Sequence, residues 1–519
     1  MTDSIETEKA GGGDMEDQNE GDAPRWPPAI DGVVGVSGFR TERLSPAARL
    51  FHSPKFNCCI VAIMGCKTSI DPDVVKAGLR ETLLNHPRFS SKMVGDVGRS
   101  GRMKWVPTHV NLDDHVIVPR VDRDMDSSDQ FVEDYISCIT KNPLDSSRPL
   151  WELHLLNVRT SDAEAVGVLR IHHSMGDGAS LMSLLLACTR KTSDPDSLPT
   201  VPLQNRAGSG RPAAGFWWFF WAIWAAVKLF WNTVVDLSLF IATFLFLKDT
   251  ETPIKGKSGV AKTMKRFVHR TVSLDDIKLV KNKLNMSIND VILGITQGGL
   301  SRYLARRYAA DGKGENGKGG RNIETLKNIR LRATILVNLR PAVGIQALSD
   351  MMAKKSRTRW GNWIGYIVLP FSIRHQEDPL EYVRLAKATI DRKKHSLEAA
   401  LTFVCAEIVL KVFGANAAAF IAERFLFQTT LAFSNVVGPV EEISFYGHPI
   451  AYLAPSVFGH PHALTIHYQS YANKMTISLA VDPEVIGDPY QLCDDLEECL
   501  SGIKASVLGE NEAPVSAVP

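Results

Sequence analysis

Apolar and polar positions divide the chain into two regions of mixed periodicity flanking one long apolar block. In the first region, Asp71–His86 (DPDVVKAGLRETLLNH) carries apolar residues at helical spacing and stops before Pro87, which predicts a helix. Phe56–Met64 and Ala165–Ile171 are short β-type runs, and Ala179–Arg190 is helical again. Asp194–Gly215, rich in Pro, Gly and Ser, reads as a linker. In the second region Ser287–Arg307 predicts a strong helix with Ser287 as its N-cap. Asp311–Asn322 is a polar loop, and Arg332–Asn338 and Ile364–Pro370 predict strands. Ala463–Tyr471 and Lys474–Val481 predict a hairpin. Strands and helices interleave in both regions, so the pattern implies an α/β fold of two domains rather than one barrel. The expected domains are residues 33–199 and 261–508, joined by a 200–260 linker and flanked by tails at 1–32 and 509–519.

The apolar block Phe216–Leu247 has 32 residues, more than the roughly 20 that span a bilayer as a helix. Five of the ten tryptophans (Trp217, Trp218, Trp221, Trp224 and Trp231) fall in its first half. Lys228, Asn232 and Asp236 interrupt it at a spacing of four, which puts them on one face of a continuous helix. A charge at the centre of a lipid-exposed span costs roughly 2.5–3.5 kcal/mol. The stripe therefore favours a helix lying in the membrane interface, or docked on the protein by its polar face, over a span. A helix buried between the domains is the third possibility. Lys248–Arg270 follows with seven Lys/Arg against two acids, a stretch suited to anionic lipid.

Composition narrows the class. The chain has 519 residues, 45% hydrophobic and 22% charged, with a net charge of +2. So small an excess gives no clustered basic face for nucleic acid, so no nucleic-acid partner is expected. Residues 1–25 hold eight acids against Lys9 and Arg25, with almost no large apolar side chain. That composition predicts a disordered acidic tail and is unlike a signal peptide. The eight cysteines form no CxxC pair and no zinc spacing, and read as reduced thiols.

Chemistry concentrates in VGVLRIHHSMGDGASLMSLLLACTR (166–190). A buried strand runs into His172–His173, a turn holds Asp177 and Gly178, and a helix follows. An imidazole at a strand end, braced by two rigid elements, is placed for proton transfer from a hydroxyl near pH 7. No G-x-S-x-G accompanies it, so direct transfer fits better than a covalent intermediate. Gly312–Gly317 spells GxGxxG inside a polar loop, without the strand and helix of a dinucleotide site. His460, His462 and His467 lack a nearby carboxylate or cysteine, so no metal site is assigned.

HHSMGDG (172–178) resembles the HHxxxDG signature of the acyl-CoA-dependent acyltransferases that include chloramphenicol acetyltransferase. SRPLWELHLL (147–156), LSP (44–46), SINDVILGITQGGLSRYL (287–304), VNLRP (337–341), GNWIG (361–365), SNVVGP (434–439) and LTIHYQSYANKMTISLAVDPEVIGDP (464–489) resemble the wax ester synthase/diacylglycerol acyltransferase branch, in its order. FYGHP (445–449) stands where enzymes acylating phenolics carry DFGWG, and no carrier domain of a peptide synthetase is present.

The resemblance implies two chloramphenicol-acetyltransferase-like domains with a tunnel between them and a connecting apolar helical segment. It implies acyl transfer from acyl-CoA to a long-chain alcohol, and to diacylglycerol, with no metal or bound cofactor. It makes His173 the base, gives His172 a packing or hydrogen-bonding role in setting the loop, and has Asp177 hold the loop through a basic partner, for which Arg340 is the candidate. Gly178 would sit where a side chain obstructs a turn. Asn289 would either polarise the thioester oxygen from the tunnel or cap its helix, and Asp290 would cap it. Pro149, Leu150 and Trp151 would be packing that shapes the acyl channel rather than chemistry. A membrane surface is the expected partner, at the cytosolic face of the endoplasmic reticulum or at the plasma membrane. The rival class is a non-catalytic lipid-binding protein of the same fold.

Overall fold

The computed structural model describes residues 41–95, 103–202, 216–311, 326, 328–340 and 360–509. The acidic tail 1–32, the Gly312–Gly317 loop, most of the 200–215 linker and residues 510–519 lie outside them. Two large sheets organise the remainder. The first has seven strands in the order Val116–Ile117, Trp151–Leu156, Ala165–His172, Cys59–Cys66, His448–Phe458, Ile443–Phe445, Thr189–Lys191. The second has six, in the order Ile364–Ser372, Arg330–Asn338, Leu431–Val436, Leu464–Tyr471, Lys474–Val481, Arg266–Ser273. The expected ranges 33–199 and 261–508 miss an exchange between them. Ile443–Phe445 and His448–Phe458 come from the C-terminal half, yet pair with Thr189–Lys191 and Cys59–Cys66 in the first sheet.

Strand alternation sets what each sheet face does. In Leu464–Tyr471, Leu464, Ile466 and Tyr468 enter the core beneath helices Ile288–Asp311, Leu380–Lys394 and Pro489–Gly509. Thr465 and His467 point the other way, into a cavity. The long helices approach closely because Gly294, Gly298 and Gly299 of the GITQGG run present no side chain where they meet. A Cβ on Gly298 would collide with Cys499 Sγ, and one on Gly294 would meet the Val383 backbone at 2.9 Å.

The elements read from the sequence are present with shifted ends. The first predicted helix runs Pro72–Glu81 from an Asp71 cap and continues as a 3-10 turn, Leu83–Asn85. The helix predicted to Arg190 stops at Ala187, because Thr189–Lys191 joins the sheet. Helices Leu380–Lys394, Glu398–Val412, Gly414–Phe427 and Pro489–Gly509 add to the elements predicted. All eight cysteines are free; Cys138 and Cys405 are exposed and the others buried.

The apolar block forms one helix, Phe216–Leu245. Its C-terminal half docks through polar side chains. Asn232 donates to the His395 carbonyl at 3.1 Å, and buried Asp236 pairs with Arg392 at 2.7 Å and Lys393 at 3.0 Å. Phe240 stacks on Phe425, ring centroids 4.2 Å apart. Lys228 is exposed, as are Trp218, Trp221, Trp224 and Trp231 around it. Much of the basic stretch is absorbed by the fold rather than offered to lipid. Lys255 and Lys265 are buried, with Lys265 3.7 Å from Asp482, and Arg270 pairs with Asp494 and Glu497.

Candidate active site

Strand Ala165–His172 runs into a single 3-10 turn, His173–Met175, and then helix Gly178–Ala187. Both nitrogens of His172 are engaged. Ser174 donates its backbone N–H to Nδ1, with Ser174 Oγ 2.7 Å away, and Nε2–H faces Asn57 Oδ1 at 2.9 Å. That fixes a neutral tautomer and leaves His172 no nitrogen for a substrate. His173 differs. Its backbone N–H donates to the Cys58 carbonyl at 3.0 Å, and its ring stacks on Phe51 with centroids 4.3 Å apart. Its Nδ1 is buried without a hydrogen-bond partner. Burial pushes the His173 pKa below 6.5, against the opposing pull of the Asp177 charge, so the ring is neutral at pH 7.

Asp177 borders the cavity and locks the loop. Its Oδ1 caps the following helix by accepting from Ser180 N at 3.0 Å. Arg340 Nη1 lies 2.9 and 2.7 Å from its two oxygens, and Trp363 N donates to Oδ2 at 3.0 Å. Arg340 Nη2 reaches Ser180 Oγ at 3.2 Å and the Gly361 carbonyl. Trp360 Nε1 holds the Met175 carbonyl at 2.6 Å, and Asn362 Nδ2 holds the His173 carbonyl at 3.0 Å. The Trp360–Trp363 segment thus clamps the histidine turn from the opposite sheet.

His173 faces a cavity of about 370 Å³ between the two sheets. One wall is apolar: Phe51, Phe56, Ile60, Met182, Ile364 and Leu426. The other is the polar face of the six-stranded sheet, with Thr334, Ser434, Thr465 and His467, closed by His460 and His462. Desolvation lowers all three histidines, His462 to about 3 and His467 to about 4, and leaves them neutral. A neutral base beside an apolar channel, with polar groups opposite, can deprotonate a hydroxyl carried on a lipophilic chain.

Comparison with known proteins agrees with this geometry. The wax ester synthase/diacylglycerol acyltransferase catalytic domain matches residues 47–292, and the WS/DGAT C-terminal domain matches residues 360–504. The chain belongs to the wax ester synthase/diacylglycerol acyltransferase family. Wax ester synthase/diacylglycerol acyltransferase 5 of Arabidopsis thaliana is 57% identical over 478 residues, covering 89% of this chain and 93% of the relative. Member 11 of the same plant family is 54% identical, covering 90% and 95%. The wax ester synthase/diacylglycerol acyltransferase from Marinobacter aquaeolei VT8 has the same fold, with a TM-score of 0.56 at 16% identity over 90% of this chain and 99% of that one. The first condensation domain of the calcium-dependent antibiotic synthetase shares it at a TM-score of 0.52 and 12% identity, over 90% of this chain and 96% of that one.

Within this wax ester synthase/diacylglycerol acyltransferase fold, several sequence expectations need correction. Asn289 is exposed and does not line the cavity; its Oδ1 accepts from Asn435 Nδ2 at 2.7 Å, and Asn435 lines the cavity. Asp290 and Ser287 make a reciprocal cap, each accepting the other's backbone N–H, at 2.8 and 3.3 Å. Gly178 does not relieve a crowded turn, since a Cβ there would meet only Val436 at 3.9 Å. The crowded position is Gly176, where a Cβ would sit 3.1 Å from Ser180 and 3.3 Å from the Trp360 ring. Leu150 and Trp151 are packing, as expected, in the core behind the motif strand, and do not line the cavity itself; the Leu150 carbonyl accepts from His172 N at 3.0 Å. Among the described residues no group of three His, Cys, Asp or Glu side chains is placed to hold a metal. Sequence reasoning missed Asn57, Trp360 and Asn362. GNWIG marked the last of these as family pattern without revealing which atoms it would hold.

Proposed function

We propose that the chain is an acyl-CoA-dependent O-acyltransferase that esterifies long-chain alcohols, and diacylglycerol as a further acceptor, with His173 as general base. The observation that carries this is the neutral, buried His173 imidazole in a cavity with one apolar wall. His173 takes the proton from the acceptor hydroxyl as its oxygen attacks the thioester carbonyl. The tetrahedral intermediate expels the CoA thiolate, which recovers that proton from the imidazolium. His172 and Asp177 position the turn, and Arg340 holds Asp177. The reaction as written needs no metal or bound cofactor, since CoA is the leaving group.

The same reading places the enzyme at a lipid surface. Trp218–Leu245 is long and apolar enough to cross a membrane, yet Asn232 and Asp236 tie its C-terminal half to the protein. Trp221 is 69% exposed and Phe230 70%. Val404, Ile408 and Val412 continue the exposed apolar face on the neighbouring helix Glu398–Val412. Attachment in the interface, on the cytosolic face of the endoplasmic reticulum, brings a membrane-dissolved acceptor to a site fed with acyl-CoA from water.

Purified protein given palmitoyl-CoA and hexadecanol should release free CoA, and His173→Ala should abolish that release while keeping the fold. Liposome binding without CoA release would leave the lipid-binding alternative standing. Carbonate should extract the protein from membranes; retention would argue for a spanning helix.

A further inference from the structure

A second cavity, of about 750 Å³, lies behind the histidine turn. Six cationic side chains line it, Lys55, Lys141, Arg170, Lys248, Lys262 and Arg424, against a single carboxylate, Glu423. Three of the six have partners. Lys55 pairs with Glu423 at 3.3 Å, Arg170 with Glu152 at 3.3 Å, and Arg424 donates to the Phe244 and Leu245 carbonyls. Arg170 is 3% exposed, and its Nε–H still has no hydrogen-bond partner. Lys141, Lys248 and Lys262 have no carboxylate partner among the described residues. A buried arginine with an unfilled donor, beside three unneutralised lysines, calls for an anion.

Part of the lining is apolar and faces solvent. Leu245, Met264 and Phe420 border the cavity and are exposed. Leu245 ends the apolar helix, and exposed Phe246 follows it. Phe420 lies on helix Gly414–Phe427, which the apolar helix meets through Phe240 stacked on Phe425 and through Arg424. Lys55 Nζ sits 5.1 Å from the centre of the Phe420 ring. The cationic cavity therefore adjoins the exposed apolar face read above as membrane-facing. A soluble anion needs the charge alone, whereas a phosphate carried on acyl chains uses both charge and apolar rim. Paired strand backbone stands between this cavity and the one holding His173: Cys59, which borders the cationic cavity, pairs with His172 on one side and Phe458 on the other. An anion held here serves attachment and takes no part in the transfer.

We propose that this cavity holds the phosphate of an anionic phospholipid, with Lys141, Lys248 and Lys262 as the principal contacts and the acyl chains lying against Leu245, Phe246 and Phe420. The site rests on the interfacial attachment proposed above and adds to it a defined headgroup anchor. It also sets orientation. A helix lying in the interface fixes depth but leaves the protein free to roll about the helix axis. The exposed tryptophans and the phosphate site stand toward opposite ends of a 30-residue helix, about 45 Å long. A headgroup held beside that axis by Lys141 and Lys262, which lie outside the helix, stops the roll.

The test is vesicle flotation of the full chain on phosphatidylcholine alone and on phosphatidylcholine containing phosphatidic acid. Wild type should bind both, and the anionic vesicles more tightly. The triple variant Lys141→Gln, Lys248→Gln, Lys262→Gln changes exposed side chains, so its melting should match wild type. A lysine at an anionic surface contributes about fivefold, so the variant should lose about tenfold or more on anionic vesicles and keep its binding to phosphatidylcholine. A control variant, Lys104→Gln, Lys257→Gln, Lys283→Gln, removes the same charge from exposed positions outside the cavity and should keep the anionic preference. Equal losses in the two variants would assign the preference to diffuse surface charge and overturn the proposal. The rim variant Leu245→Ser, Phe420→Ser should also weaken binding to anionic vesicles; no loss there would overturn the lipid as the source of the phosphate and leave a soluble anion. Wild type binding both kinds of vesicle equally overturns the headgroup site and leaves the attachment standing. Wild type binding neither would instead sink the interfacial attachment itself.

Discussion

Arg340→Met should be among the most damaging single changes in the histidine turn, although residue 340 lies far from it in sequence. The Arg340 side chain is 7% exposed and that of Asp177 3%. Wild-type Asp177 receives the Arg340 guanidinium at 2.9 and 2.7 Å and two backbone N–H groups, from Ser180 and Trp363, at 3.0 Å each. Removing the guanidinium leaves a buried carboxylate with the two amides alone. Loss of one partner from a buried pair costs about 3–5 kcal/mol, a large share of the roughly 5–15 kcal/mol that stabilises a typical domain. Asp177→Asn should cost less, about 1.5–3 kcal/mol, because an amide oxygen still caps Ser180. The two residues form one network, so the double variant should be more stable than the sum predicts by about 1–3 kcal/mol. Urea unfolding of the four proteins gives the cycle, and CoA release measured in parallel reports whether His173 stays in place. A single-variant cost under about 1 kcal/mol, or strict additivity, would refute the claim that this pair holds the turn.

Gly176→Ala should lower the rate of CoA release and the melting temperature together, because its Cβ presses on Ser180 and Trp360. Gly178→Ala should leave the melting temperature almost unchanged; equal damage at both positions would contradict the contacts. Burial lowers the His173 pKa, so kcat/KM should stay flat from about pH 8 downward and fall only below 6.5, where the base becomes protonated. An acid limb centred above 6.5 in a pH–rate profile would count against His173. Stability should follow the same direction. His462 and His467 titrate at about 3 and about 4 when folded and near 6.5 when unfolded, so the unfolded chain gains protons first. Urea midpoints should therefore be level above pH 7 and drop as pH falls from 6.5 toward 4, by about 1.4 kcal/mol per histidine per pH unit. Asp236→Leu should free the apolar helix from Arg392 and Lys393, read as faster proteolysis between residues 216 and 247; unchanged cleavage would mean that the apolar contacts of Phe240 and Phe244 suffice.

What was legible in the sequence was local. The strand–turn–helix around HHSMGDG is written in a β-type run, a capping Asp177 and an apolar helix, and each signal spans a few residues. The polar stripe of Lys228, Asn232 and Asp236 showed that the apolar block has a docking face, since spacing alone fixes a helix face. What was illegible is contact across the chain. Spacing does not reveal that Trp360–Trp363 reaches over the turn, or that His448–Phe458 completes the first sheet, because both depend on how two halves close. The histidines illustrate the limit best. As sequence, His460, His462 and His467 are an incomplete metal set. In the fold they stand with His173 around one cavity, all kept neutral by burial, where they can exchange hydrogen bonds with a polar substrate without competing for its proton. The basic stretch makes the same point from the other side. Counted along the chain it looks like a lipid-binding patch; sorted by burial, two of its lysines are internal, two arginines make salt bridges, Lys257 is exposed, and Lys248 and Lys262 line a cavity behind the histidine turn. Charge along a sequence measures supply, and only the fold decides which charges are left with something to bind.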